Sequence, residues 1–196
     1  MGKLGFYFDM TACAGCKTCQ VACIDKNDLP LAILFRRVDT YDFGKYPNAR
    51  FFNVSMSCNH CDNPACVAAC PTGATYKTEE GPVLHDDTIC IGCETCVNSC
   101  PYEHPKLIPD LGIVHKCDTC IGLRKNGHNP ICVDSCWMRA LEFGDIDELK
   151  AKHADENLVS DLPALPDSSI TSPNFLIRPN DYALTMDANG KKKTVK

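Results

Sequence analysis

The chain has 196 residues, 44% of them hydrophobic, and a formal net charge of −5 at pH 7. That acidic balance excludes nucleic acid as a partner, since binding it needs a basic surface. No apolar run approaches the length of a membrane span, the longest free of polar residues being Leu31 to Phe35, so no direct membrane span is expected.

The chain carries 16 cysteines. In a short secreted protein such density would suggest a disulfide framework. Here the N-terminus lacks a signal-peptide apolar stretch, and Arg36-Arg37 lies too far inside to be a twin-arginine signal. Tight, repeated spacing points instead to metal ligation in a reducing compartment. Taken alone, the polypeptide is expected to be soluble, with no export address of its own.

From the N-terminus, Leu4-Gly5-Phe6-Tyr7-Phe8 is β-prone and leads into Cys13-x2-Cys16-x2-Cys19-x3-Cys23. Residues 24–57 hold Phe35-Arg36-Arg37-Val38, a turn through Gly44, Pro47 and Asn48, and the β-prone Phe51-Phe52-Asn53-Val54-Ser55. The second run is Cys58-x2-Cys61-x4-Cys66-x3-Cys70-Pro71, in which Asn63 before Pro64 reads as an N-cap with proline at the first helical position. Thr75-Tyr76-Lys77, a Glu79-Glu80-Gly81 turn and Pro82-Val83-Leu84 predict a hairpin leading to the third run, Cys90-x2-Cys93-x2-Cys96-x3-Cys100-Pro101. Gly112-Ile113-Val114-His115 precedes the fourth, Cys117-x2-Cys120-x11-Cys132-x3-Cys136, whose polar loop from Arg124 to Pro130 is expected on the surface. The apolar stub Ala140-Leu141-Glu142-Phe143 follows it. Helical turns are predicted to carry the fourth cysteine of each run. Strand, cysteine loop, short helix and strand form a repeating unit.

Beyond Gly144 the composition changes. Asp145-x-x-Glu148 predicts a capping box opening a helix to about Asn157. Pro163, Pro166, Pro173 and Pro179 then punctuate an extended arm whose Ile170, Phe175, Leu176 and Ile177 are expected to dock on another subunit. Lys191-Lys192-Lys193 reads as a solvated tail.

The third run has the C-x2-C-x2-C-x3-C-P pattern of bacterial ferredoxins, whose last cysteine ligates the other cluster of a pair. Four runs of four account for every cysteine, giving four [4Fe–4S] clusters as the simplest stoichiometry. Because the fourth cysteine crosses over, runs must pair. The hairpin joins runs two and three, leaving runs one and four for each other. The expected ligand sets are Cys58, Cys61, Cys66 with Cys100; Cys90, Cys93, Cys96 with Cys70; Cys13, Cys16, Cys19 with Cys136; and Cys117, Cys120, Cys132 with Cys23. Ile24 and Trp137 stand where the pattern asks for proline.

The fold class is therefore α+β, with two bacterial-ferredoxin-like lobes. Residues 1–30 with 106–145 form an outer lobe, 31–50 an insertion, 51–105 an inner lobe, and 146–196 a helix and extended C-terminal arm. The small residues between cysteines serve either to turn N–H groups toward sulfur or only to make tight turns. The core is thin, and cluster binding would contribute to folding, so the apoprotein is expected to be largely unfolded.

No haem-type C-x-x-C-H, P-loop, G-x-G-x-x-G or H-E-x-x-H occurs, and no catalytic residues are assigned. The histidines show no metal pairing; His60 is expected to be exposed, although it could tune a cluster by a hydrogen bond. The Asn53-Val54-Ser55 sequon falls in an expected buried strand and is discounted. Structural zinc is the bland rival, but zinc ribbons pair two C-x2-C knuckles, whereas three cysteines in seven residues suit the corners of a cube.

Several stretches carry a resemblance that runs nearly end to end: Cys13-Ala14-Gly15-Cys16-Lys17-Thr18-Cys19, Phe35-Arg36-Arg37, Ser57-Cys58-Asn59-His60-Cys61, Cys90-Ile91-Gly92-Cys93, Pro130-Ile131-Cys132-Val133 and Ala140-Leu141-Glu142-Phe143-Gly144. The sequence resembles the four-cluster iron–sulfur subunits of membrane-associated molybdopterin oxidoreductases, and within them the electron-transfer B subunits of anaerobic dimethyl sulfoxide reductases. The resemblance implies a non-catalytic electron-transfer subunit between a molybdopterin-containing catalytic subunit and a quinol-oxidising integral membrane anchor, serving anaerobic respiration. Such a subunit is membrane-associated through its partners, on the cytoplasmic face or carried outward by a signal-bearing partner. It also implies that the cluster on Cys13, Cys16, Cys19 and Cys136 faces the molybdenum subunit, and the one on Cys70, Cys90, Cys93 and Cys96 the membrane. In related nitrate reductase subunits a tryptophan replaces the second cysteine of run three and leaves a three-iron cluster; here that position is Cys93, so four irons are expected. The alternative is the equivalent subunit of a formate dehydrogenase, hydrogenase, or polysulfide or thiosulfate reductase.

Overall fold

The structure, a computed structural model, describes residues 3–186 and the backbone of residues 191–193. Strand β1 (Leu4–Asp9) enters the first cysteine loop, helix α1 (Thr18–Lys26) leaves it, and β2 (Arg36–Phe43) ends the unit. The pattern repeats as β3 (Arg50–Ser57), α2 (Ala65–Ala68) and β4 (Thr75–Lys77), then as β5 (Val83–His85), α3 (Thr95–Ser99) and β6 (Lys106–Ile108). In the fourth unit β7 (Ile113–His115) and β8 (Leu141–Asp145) flank two helices, α4 (Ile121–Lys125) and α5 (Ile131–Asp134). The predicted surface loop therefore begins as a helix: Arg124 and Lys125 lie in α4, and Asn126 to Asn129 are exposed after it.

Strand pairing links the units in a ring. The last strand of each pairs antiparallel with the first of the next, in β2–β3, β4–β5 and β6–β7, and β8 returns to pair antiparallel with β1. Each hairpin is local in sequence, whereas the β1–β8 closure joins the two ends of the repeat. Helix α1 packs against α5, and α2 against α3, so the runs meet as one with four and two with three.

The largest core lies behind β1, where Phe6 and Phe8 meet Val38, Phe52, Val54, Met56 and Leu141. Alternation sends Tyr7 to the opposite face, against Ile146, Leu149 and Leu176. Ile146 and Leu149 belong to α6 (Ile146–Lys152), whose N-cap Asp145 accepts from the backbone N–H groups of Asp147 and Glu148. That helix stops at Lys152, short of the expected Asn157, because His153 leaves it to stack on Tyr7 at 3.8 Å between Glu142 and Glu156.

The C-terminal arm corrects an expectation. Strand β9 (Phe175–Arg178) runs parallel to β1 along its second edge, and Phe175, Leu176 and Ile177 are buried within the chain itself rather than left for another subunit. Val159 covers the outer edge of β9 by exchanging backbone hydrogen bonds with Ile177 at 2.8 and 2.9 Å. Only Ile170 of the apolar arm residues named above stays exposed. Helix α7 (Asp181–Leu184) follows, and the backbone of β10 (Lys191–Lys193) pairs with β2, so the lysine run forms a strand instead of a free tail.

Ile177 is fully buried. Its truncation leaves a cavity in the sheet that closes the repeat, so Ile177→Ala is expected to cost about 2–5 kcal/mol, read as an earlier denaturant midpoint of the iron-loaded protein.

Candidate metal centres

The helices carry the third cysteine of each run, not generally the fourth. Cys19, Cys66, Cys96 and Cys132 lie within α1, α2, α3 and α5. A one-turn helix started by the cysteine loop is over before the chain reaches the fourth position. Cys100 is the C-cap of α3, and Cys70 and Cys136 lie just past their helices. Only in α1, nine residues long, is the fourth cysteine, Cys23, still helical, which is why Ile24 needs no proline there. After Cys136 the turn is made by Arg139 at φ 53, letting Ala140 donate its N–H to Cys136 Sγ at 3.3 Å. In α2 the cap is Pro64 rather than Asn63; its carbonyl accepts from Val67 and Ala68, while Asn63 donates its own N–H to the Thr171 carbonyl.

The loops before the helices are left-handed at their last residue, Lys17 at φ 62 and Glu94 at φ 57. At Gly92, φ 65, a side chain would also run into the Gly112 carbonyl, so only glycine fits between Cys90 and Cys93. These turns aim donors at sulfur. Thr18 and Thr95 bring their hydroxyls to Cys16 and Cys93 at 3.3 Å, Thr72 lies 3.7 Å from Cys70, and the Thr119 N–H donates to Cys117 Sγ at 3.4 Å. Each of these threonines stands two places after a cysteine. This Cys-x-Thr repeat is visible in the sequence, but its role shows only when the loop is folded.

Two protonation environments result. Hydrogen bonding to Thr18 holds Cys16 below the ordinary thiol value, and Thr95 does the same for Cys93. Cys70 is raised by burial but brought down to about 7 by bonds from Thr75, Thr72 and Ala74. Burial pushes Cys13 up to about 11, and Cys23, Cys61 and Cys66 up to about 12, while Cys117 is raised well above the usual range. A buried thiol of this kind stays protonated until a metal displaces the proton.

Neighbouring thiols act on one another. Negative charge at Cys19, Cys136 and Cys16 adds to the effect of burial on Cys13. In the same way Cys23 faces Cys132 and Cys120, and Cys117 faces Cys23 and Cys132. Cys66 faces Cys58, Cys100 and Cys61, while Cys96 faces Cys70 and Cys90, and Cys93 also faces Cys70. A cavity of about 320 Å3, partly open to solvent, is lined by Cys13, Cys16, Cys19 and Cys136. A second, of about 350 Å3, is lined by Cys58, Cys61, Cys66 and Cys100.

No three His, Cys, Asp or Glu side chains among the described residues stand in a group that could hold a single metal ion. Sulfurs gathered around a volume, rather than converging on a point, suit a multi-iron cluster better than zinc, whose four ligands lie about 2.0–2.3 Å from one centre. All sixteen cysteines are free of disulfides, and soft thiolates are the donors iron–sulfur clusters take. The residues fit the cofactor.

His60 is fully buried, which corrects the expectation of exposure. Its Nδ1 accepts from the Val83 N–H at 3.0 Å, and burial followed by the charge of Lys116 holds it neutral. Asn53 of the sequon is likewise buried, accepting from the Thr40 hydroxyl at 2.8 Å.

Residues 49–146 match the model of the 4Fe-4S dicluster domain family. The sequence is 42% identical to the B subunit of the anaerobic dimethyl sulfoxide reductase of Haemophilus influenzae, over 97% of this chain and 96% of that protein. It is 44% identical to the corresponding B subunit of Escherichia coli K12, over 91% and 89%, and 41% identical to the thiosulfate reductase electron transfer subunit of Salmonella typhi, over 71% and 74%. With sixteen free cysteines in four runs of four and likeness along nearly its whole length, this protein belongs to the iron–sulfur family of the anaerobic dimethyl sulfoxide reductase B subunits.

Proposed function

We propose that this electron-transfer subunit relays electrons from a quinol-oxidising membrane subunit to a molybdopterin catalytic subunit, and that its sixteen cysteines hold four [4Fe–4S] clusters in the crossed sets given above. When bound, each cluster supplies a one-electron donor and acceptor. The observation that carries the reading is the order of the four thiol groups. The first centre, on Cys13, Cys16, Cys19 and Cys136, meets the second, on Cys23, Cys117, Cys120 and Cys132, where Cys19 faces Cys132. The second meets the third, on Cys58, Cys61, Cys66 and Cys100, where Cys117 faces Cys58. The third meets the fourth, on Cys70, Cys90, Cys93 and Cys96, where Cys66 and Cys96 share one apolar cluster.

The two exposed thiols, Cys16 and Cys93, lie at the ends of this series, whereas all four thiols of the second centre are buried and Cys61 and Cys100 of the third are partly exposed. Protein therefore insulates the second centre most and leaves a contact at each end. Exposed Trp137 and Met138 stand beside the first centre, and Ile89, Ile91 and Leu111 beside the fourth, apolar surface suited to partner subunits. By family likeness the first end meets the molybdopterin subunit and the fourth the membrane anchor. No helix among the described residues is long and apolar enough to cross a membrane, which suits attachment through that anchor. In the division proposed here, residues 1–30 with 106–145 and residues 51–105 are the two ferredoxin-like lobes, supported by the packing of α1 on α5 and α2 on α3. A dimethyl sulfoxide reductase-type complex is favoured over a thiosulfate-type one by the more complete match to the former.

Purified with its native partners, the protein is expected to bring down a molybdopterin subunit, identified by mass spectrometry; another large subunit would overturn the assignment. Anaerobic elemental analysis should give about sixteen irons per chain and negligible zinc. Cys70→Ser and Cys93→Ser should disturb the same reducible centre in an EPR-monitored titration, and Cys100→Ser a different one. Chelating the iron should abolish absorbance near 400 nm and, in the same experiment, most of the far-ultraviolet circular dichroism.

A further inference from the structure

Two cations lie inside the molecule at the junctions between successive thiol groups, and neither has a carboxylate partner among the described residues. Arg36 is 1% exposed. One of its terminal nitrogens donates to the Ser55 carbonyl at 3.3 Å and the Ser55 hydroxyl at 3.1 Å, the other to the Ser57 hydroxyl at 2.8 Å. Its guanidinium lies over the Phe6 ring at 4.7 Å. These partners are all neutral. The thiols whose charge would act on it are those of Cys132, Cys19, Cys117 and Cys23, that is, one member of the first centre and three of the second. Ser55 joins the two directly, since its hydroxyl also lies 3.3 Å from Cys19 Sγ.

Lys116 occupies the next junction. It is 6% exposed, and its ammonium donates to Cys58 Sγ at 3.6 Å, to the Cys117 carbonyl at 2.9 Å, and to the Val83 carbonyl. Two of these acceptors are backbone carbonyls and the third is a cysteine sulfur, so no carboxylate is among them. Cys58 belongs to the third centre and Cys117 to the second. The junction between the third and fourth centres is different in kind: Cys66, Val83, Cys96 and Val114 pack there with Val67, Val97 and Leu107 around them.

A buried charge without a counter-ion is expensive, so its retention calls for opposite charge close by. Thiolate-ligated clusters supply that charge, and each gains another negative charge when reduced. A fixed cation beside a centre favours its reduced form through a medium that screens poorly.

We propose that Arg36 and Lys116 are positioning charges of the relay, Arg36 raising the reduction potentials of the first and second centres and Lys116 those of the second and third, with the fourth set independently of both. The proposal rests on the ligand sets assigned above. The test is a dithionite titration, followed by EPR, of the full protein in its complex, with iron counted in every sample. Arg36→Gln should lower two of the four potentials, each by a change on the order of tenfold in the reduction equilibrium, which is 59 mV for one electron. Lys116→Gln should lower two by a similar factor, with one centre common to both variants and one moved by neither, while Arg36→Lys should stay near the parent values. Four potentials moving together, or none moving with iron intact, would overturn it. If Arg36→Gln loses iron, the other two variants decide. Iron lost from Arg36→Lys as well would mean that the guanidinium acts by shape alone, and unchanged potentials in Lys116→Gln would equally refute the scheme. A parent protein with far fewer than about sixteen irons would instead sink the ligand assignment and leave the question of tuning behind it.

Discussion

The constraint on which this structure depends is the burial of thiols beside one another. Cys23, Cys117, Cys120 and Cys132 are all removed from solvent, and burial, with negative charge on neighbouring thiols adding to it, disfavours ionisation of Cys23, Cys117 and Cys120. Protonated, they are small hydrophobes in a core already short of large ones. Ionised, they are intolerable without a cation. Iron would resolve the conflict by taking thiolates as ligands, and segments far apart in sequence, such as Cys13 and Cys136, already line one cavity. The sheet formed by β8, β1 and β9 brings the same two regions together from the other side. Backbone pairing and ligation thus specify one topology, the kind of agreement between levels that lets a sequence select a single fold.

The cysteine runs are readable because ligand spacing is a local property. A cube corner needs its sulfurs at fixed intervals, and no distant residue can change that. Strands before each run are readable for a similar reason: Phe6, Val54 and Val83 are β-formers in short segments bounded by turns. The pairing of runs one with four and two with three is expected from the fourth cysteine, and the structure packs α1 on α5 and α2 on α3. Even the hairpin of β4 and β5 is visible from its Glu-Glu-Gly turn.

What escapes the sequence is what depends on contacts between distant segments. His60 looks like a polar residue between two ligands, yet Val83 and Asn174 come from elsewhere to enclose it, the latter donating to the His60 carbonyl at 2.8 Å. Along the chain the arm at Phe175 to Ile177 meets Val159, but the edge of β1 that receives it is about 170 residues away. Local patterns could only classify it as unfinished surface. Arg36 is the sharpest case: in sequence it is half of an ordinary basic pair, but its neighbour Arg37 turns outward to Asp39 and Glu103 while Arg36 turns into the core. Strand alternation separates the two, and only the placement of β2 decides which side is inward.

The central place of β1 also dictates a schedule for synthesis. It leaves the ribosome more than a hundred residues before the segments that flank it, residues 141–145 on one edge and 175–178 on the other. Until they arrive, β1 is a nascent segment with two bare edges. The local pairings of β2 with β3, β4 with β5 and β6 with β7, by contrast, are each complete soon after their second strand emerges. Backbone pairing in this polypeptide therefore has a natural polarity, beginning with the neighbouring hairpins and sealing around β1 only once residue 178 has been made.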